Sequence, residues 1–350
     1  MRKVLVVDDG TLTAASLRRH LRSRLAGTGA RLSVVTLTRR TPRATGTARS
    51  PGVTDFVGDP VELAARVRGA EILAVHKAPV TAEVIAAAPG LRLIACARGG
   101  PVNVDVAAAT RRGIPVANAP ARAAEATADL TLAFILALAR NVVPATIRVK
   151  TLGPRAWEYG TRSTLEGVDL RGKTLGIVGF GNVGRRVAAR AAAFGMRVIL
   201  CDPHLRPREV TGAGAAPVGL TELLRQSDFV TLHARTTPEN AGMIAARQLR
   251  LMPRSAYLIN TARGTLVNER DLYQALKGGR IRGAALDVMA LEPPRRDNPL
   301  LRLHNVLITP HIGGKTRESS ERAAQMIADE VDRFLAGARP MIVANPEPVR

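Results

Sequence analysis

The sequence predicts an α/β fold of two doubly wound parallel sheets, and three observations predict it. Short apolar or β-branched runs alternate with helix-patterned segments from residue 3 to about residue 120. A second alternating series starts at Leu175 and runs to His311. Its first strand leads into Gly179-x-Gly181-x-x-Gly184, which is followed by a helical pattern. At 350 residues, 46% of them apolar, the chain can bury two domain cores.

In the first series the expected strands are KVLVVDD, LSVVTL, DFVG, EILAVH, LRLIACA and IPVANA. Helical patterns cover residues 12–25, 61–67, 81–88 and 104–111, with Thr81 as an N-cap. Residues 39–54 carry almost no apolar side chain and read as an exposed loop. The N-terminus passes from a short apolar run straight into Asp8 and Asp9, so it reads as a strand and not a signal peptide. Those two carboxylates also invite a phosphorylation-receiver reading with a magnesium ion. A strand-end turn accounts for them more simply, because no third aspartate ends the third strand. Residues 121–140, ARAAEATADLTLAFILALAR, predict one long helix that is apolar over much of its circumference. Such a helix is buried on more than one side, as a linker or a dimer contact.

The second series is organised by its glycines. Gly179 permits a tight turn out of the strand, Gly181 removes a Cβ that would meet a pyrophosphate, and Gly184 lets the helix lie close to the sheet. The helix N-terminus then offers N–H groups and a partial positive charge to phosphates. Asp202 ends the next strand, where it can accept hydrogen bonds from a ribose diol. Strands TLGIVGF, RVILCD, DFVTLHA, AYLINTA, GAALDV and NVLITPH follow one another, with Asn268 and Thr221 as helix caps. Ligands of such sheets sit beyond the carboxyl ends of the strands. The polar clusters there are His233, residues 260–264, residues 287–292 and His311. Residues 316–336 predict an amphipathic helix, and a Pro-rich tail follows it to residue 350 with no appended regulatory domain expected.

Composition narrows the function classes. Cys96 and Cys201 lie in apolar runs and give no disulfide framework or metal cluster, which points to the cytoplasm. No apolar run approaches the roughly 18 residues of a membrane span. The net charge of +22 admits a nucleic-acid partner. However, only six of the 51 basic residues are Lys, the arginines are scattered, and stacking aromatics are few. A generally basic surface is the preferred reading.

Three strand-end residues make a coherent chemical set. Arg263 can fork across a carboxylate with two parallel hydrogen bonds. His311, followed by Gly313 and Gly314, can exchange a proton with a substrate oxygen near neutral pH. Glu292 can hold the other imidazole nitrogen.

Five motifs, in order, carry a resemblance: LRGKTLGIVGFGNVGRRVAARAAAFGMRVILCDP, DFVTLHARTTPENAGMI, LINTARGTLVNERDL, GRIRGAALDVMALEP and ITPHIGG. The chain resembles the NAD-dependent D-isomer-specific 2-hydroxyacid dehydrogenases over about residues 81–320, and more loosely throughout. The resemblance implies a flavodoxin-like substrate domain over residues 1–116 and 315–350. It implies an inserted Rossmann NAD-binding domain over residues 117–314, with the active site in the cleft. The helix near 121–140 would join two copies in a homodimer. Arg263, Glu292 and His311 would be the catalytic trio, and Asp287 would hold the nicotinamide carboxamide. The NAD site would comprise Gly179, Gly181, Asn182, Val183, Gly184, Asp202, His233, Thr261, Asp287 and Gly313.

The family's substrate loop corresponds here to residues 98–105, RGGPVNVD, which is shorter than the usual pattern. Gly99 and Gly100 can still present N–H groups to a carboxylate, with Arg263 as its other partner. His76, Lys77 and Arg98 can meet a phosphate or an acidic tail, and they read equally well as solvated charges. The expected activity is hydride transfer between NAD(H) and a D-2-hydroxy acid or 2-keto acid, phosphoglycerate-like or a sugar acid. The alternative is an NAD(H)-sensing, corepressor-like binding protein.

Overall fold

Alternation along the strands sends side chains to two faces, and each face finds its own helices. In β1 (Lys3–Asp8), Val4 and Val6 pack towards Leu17, Leu21 and Leu25 of the helix Leu12–Leu25. Ala323, Ala324, Ile327 and Val331 of the helix Arg317–Leu335 join that same core. Leu5 and Val7 point the other way, into a core shared with Leu63, Val84, Ile85 and Ala109 of three short helices. The remaining strands are β2 (Arg31–Thr36), β3 (Ile72–Val75), β4 (Leu93–Cys96) and β5 (Val116–Asn118). All pair in parallel, in the order β2-β1-β3-β4-β5.

The computed structural model describes residues 2–26, 28–37, 52–158, 160, 163–205 and 215–345. It divides into two compact units, residues 1–123 with 315–350 and residues 124–314. The second unit holds β6 (Thr174–Val178), β7 (Arg197–Cys201), β8 (Ala215–Pro217), β9 (Phe229–Leu232), β10 (Tyr257–Asn260), β11 (Gly283–Leu286) and β12 (Val306–Ile308). Their order is β12-β11-β10-β9-β6-β7-β8, again wholly parallel. The order reverses at the β6–β9 neighbours, the switch point at which doubly wound sheets bind ligands. One face carries Leu175, Ile177 and Phe229 against the helices Ala124–Ala139 and Asn182–Ala193. The other carries Val178, Val230 and Leu258 against Leu223, Leu224, Leu272 and Leu276.

Several sequence expectations change. DFVG is not a strand: Phe56 is buried, but Gly58 at φ 108° turns the chain away. Thr221 is not a cap, because the helix Leu220–Gln226 starts after Gly219 with no side-chain cap bond. The boundary at residue 116 falls inside β5, whose pairing with β4 carries the first unit on to Ala123. The long helix starts at Ala124, after a turn in which Ala121 has φ 59°. A further helix, Val142–Leu152, follows it, where the sequence predicts no element. Residues 39–51 of the expected exposed loop lie outside the described residues. Among the described residues, no single helix is long and apolar enough to cross a membrane.

Asp9 is a structural carboxylate. Its side chain is fully buried, and it accepts hydrogen bonds from Thr11 N–H at 3.1 Å, Thr11 Oγ1 at 2.6 Å and Lys77 N–H at 2.6 Å. A carboxylate so enclosed serves the strand-end turn and not a phosphoryl group.

Candidate active site

The glycine turn is built by close approach. Gly179 leaves β6 at φ 93°, and a Cβ there would lie 2.6 Å from Ala234 N and 2.7 Å from His233 C. Only glycine therefore lets the chain leaving β9 pass across the turn. A Cβ on Gly184 would meet Gly179 O at 2.2 Å, so the first turn of the helix rests on the strand end. Gly181 differs: no atom lies within 4 Å of a Cβ added there, so protein packing does not demand its glycine. The space is the cradle a pyrophosphate requires. Asn182 and Val183 open the helix Asn182–Ala193, which has no side-chain cap from Gly181 and no acid in its first turn. Its first N–H groups have no intrahelical acceptor and suit an anion. Asp202 holds the turn in place: Oδ2 accepts from Phe180 N–H at 2.7 Å and Oδ1 from His204 N–H at 2.9 Å. Each oxygen keeps acceptor capacity for a ribose hydroxyl. These residues fit a dinucleotide.

His233 begins the loop after β9, and its N–H donates to Val178 O at 2.7 Å. Burial pushes its ring down to about 3, so it is neutral near pH 7. Thr261 follows β10, and its hydroxyl meets Thr131 Oγ1 at 2.9 Å. That contact joins the strand end to the helix Ala124–Ala139.

Arg263 is presented by an Asn-centred turn. Asn260, at the end of β10, accepts from Ala262 N–H at 3.0 Å and donates to Arg263 O at 2.9 Å. The guanidinium is exposed and donates through Nη1 to Ala262 O at 2.7 Å. A Cβ on the next residue, Gly264, would sit 2.0 Å from Met289 C. The Arg263 loop thus lies directly against the segment that leads to Glu292.

Asp287 and His311 meet at the ends of β11 and β12. Asp287 is 2% exposed, and its carboxylate gathers the His311 loop. Oδ1 accepts from Thr309 Oγ1 at 2.6 Å and Ile312 N–H at 2.7 Å, and Oδ2 accepts from Gly313 N–H at 2.7 Å. The Asp287 carbonyl accepts from His311 N–H at 2.9 Å. These bonds hold His311 at φ 54°, a left-handed conformation that a non-glycine residue seldom adopts. The ring Nδ1 lies 2.7 Å from Glu292 Oε2. A carboxylate accepts only, so Nδ1 is the donor and Nε2 is the atom free to exchange a proton. Glu292 is itself fixed by Met289 N–H at 3.2 Å. Sequence reasoning missed two supports. One is Thr309, which sits two residues before His311. The other is Glu269, which opens the helix after the Asn268 cap and accepts from Ala290 N–H at 2.6 Å.

The other expected residues belong to the first unit. Gly99 and Gly100 form an exposed turn after β4, and among the described residues their N–H groups have no acceptor. Asn118 Nδ2 donates to Gly99 O at 2.9 Å and sets the turn's orientation. Arg98 is already engaged, donating to Asp55 O at 2.8 Å and Asp55 Oδ2 at 2.7 Å. Lys77 follows β3, and its backbone N–H is held by Asp9.

Comparison with known proteins agrees with this geometry. Residues 132–313, just over half of the chain, match the model of the D-isomer specific 2-hydroxyacid dehydrogenase NAD binding domain. A D-3-phosphoglycerate dehydrogenase of Methanocaldococcus jannaschii is 41% identical over 81% of this chain and 53% of its own length. The chain thus spans about half the length of that relative. A glyoxylate reductase of Korarchaeum cryptofilum is 43% identical over 78% of this chain and 81% of its own. The crystal structure of a Thermus thermophilus protein superposes with a TM-score of 0.79 at 37% identity, covering 99% of this chain and 100% of that one. With its glycine turn, its paired histidine and glutamate, and these relatives, the chain belongs to the D-isomer specific 2-hydroxyacid dehydrogenase family.

Proposed function

We propose that the protein is an NAD-dependent oxidoreductase that interconverts a D-2-hydroxy acid and its 2-keto acid. The observation that carries this reading is the 2.7 Å His311–Glu292 pair, on a loop that Asp287 holds beside the glycine turn's own sheet. NAD, when bound, supplies the hydride acceptor. In the oxidation direction His311 Nε2 takes the hydroxyl proton, and Glu292 stabilises the imidazolium that forms. In reduction His311 returns the proton and Arg263 polarises the carbonyl. Arg263 also forks to the substrate carboxylate. Within the first unit, the Gly99–Gly100 turn offers backbone donors to an anion. The relatives are named as dehydrogenases and reductases, which favours turnover over the corepressor-like alternative.

The test is NADH oxidation against glyoxylate, hydroxypyruvate, phosphohydroxypyruvate and branched 2-keto acids. At least one should turn over. His311→Gln should lower kcat by about 10²- to 10⁴-fold while NADH binding, read by fluorescence, stays near wild type. Near-normal turnover in that variant removes the catalytic assignment. Asp202 should repel a 2′-phosphate, so NADH should be preferred over NADPH, and equal use of the two would overturn this. Arg206 and Arg208, which follow it, lie outside the described residues.

A homodimer and a cytoplasmic location complete the proposal. The helix Val142–Leu152 buries none of its side chains, and Val142, Ile147, Leu152 and Trp157 are exposed. These exposed apolar side chains are the better candidate for the dimer contact, because the preceding helix already buries Leu132, Phe134, Ile135 and Leu138 within its own unit. The two cysteines are free, which fits a reducing compartment.

A further inference from the structure

Parallel pairing sets the ends of β3, β4 and β5 side by side, with Val75 opposite Cys96 and Cys96 opposite Asn118. The residues just beyond those ends are His76 and Lys77, then Arg98, then Arg122. Ala119 N–H donates to Arg98 O at 2.8 Å, which ties the second end to the third. A concentration of positive charge results. Burial, and then the charges of Arg122, Arg98 and Lys77, hold the His76 ring down to about 3. Burial, Arg98 and Arg322 act against the charge of Arg122 itself.

Most of these groups are accounted for. Arg98 is paired with Asp55, and the Asp9 carboxylate serves Thr11 and Lys77 N–H. Thr11 gives its single hydroxyl proton to Asp9, so the 2.8 Å contact from His76 Nδ1 must be a donation to Thr11 Oγ1. The His76 ring is therefore oriented, and burial keeps it neutral near pH 7. Arg322 donates through Nε to the Arg122 carbonyl at 2.9 Å. The Arg122 guanidinium is different. It is half-buried among like charges, and among the described residues it has no hydrogen-bond acceptor and no carboxylate partner. Partial removal of a charge from water is costly unless an anion accompanies it.

The location says what that anion is attached to. Arg122 lies on the carboxyl edge of a doubly wound sheet, one strand from the Gly99–Gly100 turn, and Asn118 bridges the two strand ends at 2.9 Å. We infer that Arg122, supported by the charge of Lys77, binds a second anionic group of the substrate, a carboxylate or phosphate at the end remote from its 2-keto carboxylate. This rests on the dehydrogenase reading above and narrows it to dianionic substrates. Nothing in the motif set drew attention to Arg122. The sequence signal is an arginine placed between a strand end and an apolar helix.

The experiment compares the full-length protein with Arg122→Gln and Arg122→Lys, using NADH oxidation with glyoxylate, oxaloacetate and phosphohydroxypyruvate. Melting curves establish that each variant is folded. Loss of a charge-assisted contact should lower kcat/KM for the preferred dianion about 30-fold in Arg122→Gln, mostly through KM. Arg122→Lys should recover part of that loss. Glyoxylate, which has no second anion, should suffer about threefold at most. Whether oxaloacetate or phosphohydroxypyruvate shows the larger loss identifies the group as carboxylate or phosphate. An equal loss with glyoxylate, or no loss with either dianion, overturns the inference. If no keto acid oxidises NADH, the dehydrogenase reading fails separately. Binding of inorganic phosphate, followed by ³¹P line broadening, then decides: weaker binding in Arg122→Gln supports the anion site, and identical binding overturns it.

Discussion

Asp287 shows how much one carboxylate can organise. It accepts three hydrogen bonds from Thr309, Ile312 and Gly313, and so sets the position of the loop that carries His311. Asp287→Asn puts an amide donor against backbone donors and must forfeit at least one bond. We expect a loss of about 1–3 kcal/mol in urea unfolding, with kcat reduced although His311 is intact. If Asp287 served only the cofactor, NADH affinity would fall and stability would not. Gly264 makes a second test, because a Cβ there meets Met289 C at 2.0 Å. Gly264→Ala should displace Arg263 and cost about 1–3 kcal/mol, with turnover falling alongside the melting temperature. Unchanged turnover would detach the Arg263 loop from the chemistry. The catalytic candidates were legible because each follows an apolar strand within a few residues. The pairing of Arg98 with Asp55 was not, since its partner lies 43 residues upstream on an irregular segment.

The same contrast holds between elements. Among the described residues, every strand but one was visible as an apolar or β-branched run, because a parallel sheet covered on both faces must bury consecutive residues. The missed one, β8 (Ala215–Pro217), is a three-residue edge strand ending in proline, too short to show a pattern. The helix Val142–Leu152 was missed for a different reason: it carries Pro144, and its apolar side chains have no core within the unit to face. Two loops between elements have a measurable consequence. His76 after β3 and His233 after β9 are both held down to about 3 by burial, against 6.5 for a free imidazole. The unfolded chain therefore binds more protons than the folded one between those values, and stability must fall as pH drops below about 6.5. Melting temperature should be flat from pH 7 to 8 and decline progressively towards pH 4. His233→Gln should flatten part of that slope. A melting temperature that rises on acidification would contradict the buried neutral state of both rings.

For the whole molecule, the glycine fingerprint located the second sheet, whereas the β2-β1-β3-β4-β5 order of the first became visible only in the structure. The surface between copies was harder to place. The sequence directed attention to residues 121–140 because apolar side chains surround that helix. Yet a helix can be apolar all round simply because it lies within its own core, as Leu132, Phe134, Ile135 and Leu138 do. Val142–Leu152 is the informative element: Ile147 is 60% exposed and Trp157, just beyond it, 61%. Val142, Val143 and Leu152 are exposed as well, so this helix offers apolar side chains for a partner to cover. If a second copy covers it, the native mass should be twice the 37.2 kDa of the chain. Ile147→Glu should bring that mass down to one chain, because a charge from each copy would be buried in the contact without a partner. The helix keeps no side chain in the core, so the variant should remain folded, and its far-ultraviolet dichroism should match wild type. Sedimentation velocity read at several concentrations tests both statements. A wild type that sediments as one chain at every concentration would remove the dimer. A mass of two chains retained by Ile147→Glu would place the contact elsewhere.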